Sequence, residues 1–150
     1  MNTTLFNSLH LKGFLSFGPD SQPVKLTNLN VLIGPNGVGK SNFIEAIELL
    51  HATPADFDGA IRIGGTPNDW IWHGGQEIKA ARIEAMLSRT RKTPELRYVI
   101  EFTESGSRLE ISDEVLEPSK PAPRFCYYRH GAGHPKIAQA GGRLFEFCMT

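Results

Sequence analysis

Hydrophobic and polar positions change their period several times along this chain, and each change predicts an element. Leu9 and Leu11 are separated by His10 and followed by Lys12, the period-2 pattern of a strand with one buried face. Leu5 to Phe17 therefore reads as a first strand pair, with Gly13 as punctuation and Phe14-Leu15-Ser16-Phe17 continuing extended. Gly18-Pro19-Asp20 predicts a turn, and Val24 to Asn28 another short strand. Leu29-Asn30-Val31-Leu32-Ile33 is almost continuously apolar, as in a strand buried on both faces. From Lys40 to Ala52 the spacing becomes helical: Phe43, Ile44, Ala46, Ile47 and Leu50 predict one broad buried face, and Pro54 ends the helix.

The stretch from Asp56 to Gly75 has no clear period, and reads as irregular with one short helical turn, Trp70 and Trp72 covering the surface. Alternation returns in Ala81 to Leu87, Leu96 to Phe102 and Arg108 to Ser112, separated by turn signals at Ser88 to Pro94 and Ser105-Gly106-Ser107. This predicts an antiparallel meander. After a break at Pro118, Pro121 and Pro123, Phe125 to Arg129 and Leu144 to Phe147 read as two further strands joined across Gly131 to Gly142.

Between the apolar run and the helix lies Gly34-Pro35-Asn36-Gly37-Val38-Gly39-Lys40-Ser41, the spacing G-x-x-x-x-G-K-S of a Walker A phosphate-binding loop. Each residue type has a physical reason to be there. Glycines let backbone N–H groups approach phosphate oxygens without a Cβ in the way. The helix adds its unpaired N–H groups and positive dipole end. Lys40 supplies an ammonium for the β- and γ-phosphates, and Ser41 a hydroxyl for Mg²⁺. The candidate nucleotide-binding residues are thus Gly34, Pro35, Asn36, Gly37, Val38, Gly39, Lys40, Ser41 and Asn42, with Lys40 as the catalytic candidate.

Composition narrows this little. The chain has 150 residues, 40% hydrophobic and 21% charged, which fits one domain with a packed core. Lys+Arg and Asp+Glu are both 16, so net charge announces no nucleic-acid surface, although a local patch can still form one. Cys126 and Cys148 make neither a disulfide framework nor a zinc site. No signal-peptide pattern opens the chain and no apolar run nears the ~18 residues of a membrane span, so a cytoplasmic protein without membrane contact is expected.

Several short features read as background. His73-Gly74-Gly75-Gln76 resembles the signature sequence of ABC ATPases but has His73 for serine and precedes strand-like alternation, so it reads as a loop. Gln76 is kept beside Ser41 as a candidate metal or water contact. Asp113-Glu114 follows a half-exposed alternating run rather than the buried strand a Walker B needs. His130 and His134 are four apart, but Gly131, Gly133 and Pro135 exclude a helix. Arg89, Arg91 and Lys92 form either a solvated turn or a DNA contact.

Leu26 to Leu50 resembles the N-terminal lobe of RecF/SMC-like ABC-type ATPases, including stand-alone bacterial AAA-family ATPases. Leu11 to Phe17 looks like that family's first strand, with Gly13 and Leu15 departing from its pattern, which puts a basic nucleotide contact at position 15 in doubt. The resemblance implies an α/β P-loop NTPase lobe: a Walker A core over residues 1–54 and an antiparallel β-subdomain over residues 79–150. It also implies ATP and Mg²⁺ as ligands, and two heads that sandwich the nucleotide. The signature helix, the Walker B strand and the switch histidine of such ATPases have no counterpart in this sequence. The chain is therefore expected to be an N-terminal lobe that binds ATP and hydrolyses it only with a complementary C-terminal lobe or in a homodimer, and to self-associate through an unpaired apolar sheet edge. A non-catalytic or DNA-associated interaction module is the alternative, and a small P-loop kinase a third reading.

Overall fold

The computed structural model describes residues 5–75, 77–88, 95–120, 126–131, 136–138 and 144–146. One antiparallel sheet of eight strands organises them, in the spatial order β2-β1-β3-β4-β5-β6-β7-β8. The strands are β1 (Phe6–Lys12), β2 (Val24–Lys25), β3 (Ala80–Leu87), β4 (Leu96–Ser105), β5 (Arg108–Pro118), β6 (Tyr128–His130), β7 (Lys136–Ala138) and β8 (Leu144–Glu146). Helices α1 (Lys40–Ala52) and α2 (Phe57–Gly64) and a 3-10 turn (Pro67–Trp70) lie between β2 and β3 in sequence. The meander is as expected, and α1 has the bounds its periodicity predicts.

The core follows from the two periods meeting. Leu9 and Leu11 of β1, Ala81, Ile83 and Ala85 of β3, and Ile100 and Phe102 of β4 share one face through the register Leu11↔Ile83↔Ile100. Against them pack Phe43, Ala46, Leu49 and Leu50 of α1, Phe57 and Ile61 of α2, and Phe14, Trp70 and Ile71. The other face sets charged side chains around the buried Val99 and Val115. Arg97 bridges Glu84 (2.8 Å) and Glu117 (2.6 Å), and Arg82 reaches Glu101 (3.2 Å). Burial pushes the Glu84 carboxyl up, but the hydrogen bonds and charge of Arg97, with Arg82 nearby, overcome this and hold it below the usual range.

Several expectations are corrected. Residues 29–33 form no strand: Leu29, Val31 and Ile33 are 82%, 73% and 88% exposed. A strand needs a ladder partner, and these residues have none among the described ones. A side-chain turn leads the chain away from the sheet instead, with Thr27 N–H donating to Asn30 Oδ1 (2.9 Å) and Asn30 Nδ2 to Thr27 O (2.8 Å). Ile44, expected in the buried face of α1, is half exposed, and Leu49, not expected there, is buried instead.

Phe14 to Phe17 is not extended. Phe14 and Phe17 exchange backbone hydrogen bonds (3.0 and 2.8 Å) across a tight turn, with Gly13 at φ 60° and Leu15 at φ 47°. Residues 56–75 hold more helix than their pattern suggests. Asp56 caps α2 by accepting from Gly59 N–H (2.8 Å), and Phe57 and Ile61, four apart, are buried. Trp70 is buried rather than covering the surface: it packs on Phe14 at 5.8 Å and donates Nε1–H to Ile61 O at 2.9 Å. β7 is a strand where only a connection was expected, and β5 runs on through Asp113 and Glu114 to Pro118.

Near the end of α1, Glu114 accepts from the hydroxyls of Tyr98 (2.6 Å) and Tyr128 (3.0 Å). Burial and then the Glu114 carboxylate raise both phenols, Tyr128 to about 12 and Tyr98 further. Below pH 10, the ordinary value, both are neutral in the folded and unfolded chain, so their stabilisation is fully present. Above it the unfolded chain releases protons that the folded chain keeps. Stability should fall from pH 10 through about 12, and less steeply in Tyr98→Phe, as read from urea midpoints across that range. The same assay should separate the exposed run from the core: Ile33→Asp changes stability by less than about 0.5 kcal/mol, while Ile100→Ala costs about 2–5 kcal/mol.

Candidate functional site

Residues 34–41 follow directly from the exposed run and end in the first turn of α1. The loop is exposed from Gly34 to Val38 and becomes buried at Gly39. Gly39 caps the helix in the left-handed conformation (φ 94°, ψ 11°). Its carbonyl accepts the first helical hydrogen bond, from Phe43 N–H (2.9 Å), and no side chain caps the helix start. The first turn carries no acidic residue, so its N–H groups and dipole face an environment free of competing carboxylates on that turn. Ser41 is exposed in this turn and Asn42 is half-buried.

Lys40 gives the loop its shape from within. Its Nζ donates to the carbonyls of Gly34 (2.8 Å) and Pro35 (2.7 Å), which folds the side chain back over the loop that precedes it. The ammonium, the two carbonyls and the uncapped start of α1 thus belong to one short stretch of chain. An arrangement of this kind attracts an anion more strongly than a lone lysine can, because backbone dipoles and a full charge act together.

The sequence did not identify what lies behind the strip. The turn at residues 14–17 packs directly on Gly39: a Cβ built there would lie 2.5 Å from Ser16 Oγ and 3.3 Å from Phe17 Cζ. Phe17 in turn stacks at 6.3 Å from Phe43 of α1. The other side of the turn is tied down by Leu15 N–H donating to Trp70 O (2.9 Å) and Trp72 N–H to Gly13 O (2.9 Å). Leu15 turns its apolar side chain against the core, so position 15 offers no basic contact. The available signal was Gly13 beside Ser16-Phe17, which in isolation looks like an interrupted strand.

The nine residues Gly34 to Asn42 are therefore brought together, while the other candidates are engaged elsewhere. Gln76 lies outside the described residues, as do His134, Arg89, Arg91 and Lys92. His73 pairs through Nε2 with Asn68 O (3.1 Å). Asp113 faces Arg129 at 3.7 Å, and Glu114 is held by its two tyrosines. No group of three or more His, Cys, Asp or Glu among the described residues could hold a metal. No helix among them is long and apolar enough to cross a membrane. A groove of about 630 Å³ separates the segment around Leu26 and Leu32 from Phe43, Ile44 and Ile47 of α1.

Compared with known families, residues 29–147 match the model described as an AAA domain, putative AbiEii toxin, Type IV TA system. The match begins at the exposed apolar run and takes in the glycine loop, both helices and almost the whole meander.

Gly39→Ala should disrupt the loop for two separate reasons, its positive φ and the contact with Ser16 and Phe17. The expected result is a melting temperature several degrees lower. Gly39→Ala combined with Ser16→Gly should recover only part of the loss, because relieving the contact leaves the backbone strain.

Proposed function

The chain belongs to the AAA domain family described as putative AbiEii toxin, Type IV TA system, a nucleotide-binding, ATPase-type domain, and on that footing we propose that Gly34–Ser41 is its Walker A loop and binds ATP with Mg²⁺. The observation that carries this reading is Lys40. A G-K-S lysine folded back over its own glycine loop, at the uncapped start of a helix, is placed to exchange two carbonyls for phosphate oxygens.

Backbone N–H groups from Gly37 to Ser41 cradle the phosphates, with Asn42 following in the same helical turn, and Lys40 neutralises the β- and γ-phosphates. Ser41 is exposed in that turn, where its hydroxyl would hold Mg²⁺. The ion, when bound, withdraws charge from the phosphates.

Phosphoryl transfer to water also needs a group that orients the water. Among the described residues no carboxylate is hydrogen-bonded or ion-paired to the loop. The chain thus acts as the binding half of an ABC/RecF/SMC-like ATPase, and hydrolysis depends on a complementary lobe or a second copy. The exposed run Leu29 to Ile33 supports this reading, since a strand leading into a phosphate loop is ordinarily buried between neighbours. For the DNA-associated alternative, Arg82 and Arg97 are paired with Glu101, Glu84 and Glu117, and the basic cluster Arg89, Arg91 and Lys92 lies outside the described residues. A kinase would need a lid over the phosphates, which an antiparallel meander does not supply.

Calorimetric titration of the chain with MgATP should show binding that Lys40→Ala loses. At a hundred times Kd, nucleotide should stabilise the wild type by about 2.7 kcal/mol and leave the variant's melt unmoved. Equal binding by Lys40→Ala would show that the loop is not the site.

A further inference from the structure

We draw no further inference here: the strongest candidate, the apolar groove between the segment around Leu26 and Leu32 and the Phe43, Ile44 and Ile47 side of α1, continued by the exposed run Leu29 to Ile33, carries nothing because nothing in the structure shows what covers it.

Discussion

The position of the glycine loop depends on the burial of one helix face. Phe43, Ala46, Leu49 and Leu50 fix α1 on the floor made by β1, β3 and β4, and Gly39 is the N-cap of that helix. The direction in which the uncapped amides point is therefore set by apolar packing more than a full helical turn away. Burial of this kind is worth roughly 1.5–3 kcal/mol for each large side chain, far more than the hydrogen bonds of Lys40 to two exposed carbonyls. The loop is held by the helix, and the lysine adjusts within it.

Much of this was legible in the sequence because local and global preferences agree. The alternation in β3 matched the face that became buried, and α1 kept the bounds its spacing predicts, with Leu49 rather than Ile44 in its buried face. The place of the glycine loop at the start of α1 was legible because its spacing stands out from the apolar run before it and the helical pattern after it. The failures share a cause: burial depends on partners, and a pattern does not show them. Leu29 to Ile33 has the composition of an inner strand but no ladder partner among the described residues, so it is exposed. Phe14, Leu15 and Phe17 suggested extension, whereas two left-handed residues, Gly13 and Leu15, close a turn. Phe57 and Ile61 were a helical pair obscured by Gly59 and Gly64, both poor helix formers. The contact of Ser16 with Gly39 was illegible because the two are distant in sequence.

The two faces of the sheet divide the work between them. One is apolar and carries the helices, and with them the site. The other neutralises its own charges in cross-strand pairs, which contribute modestly to stability because their side chains remain about a quarter exposed. Two arginines in this network face three glutamates, so the network itself offers a polyanion no net positive charge.

The route of the chain through the sheet bears on how the molecule assembles. β3, β4 and β5 are consecutive and pair with their neighbours, so their contacts span short stretches of chain. β1 pairs with β3 only after the chain has passed through the glycine loop and both helices: Lys12 meets Arg82. Closing that long loop loses chain entropy before any contact compensates for it. In a route that builds local contacts first, the hairpins precede β1, and the floor beneath α1 is completed last. The glycine loop is then ordered by contacts that form late, and any ligand that binds it would act on the final step of folding.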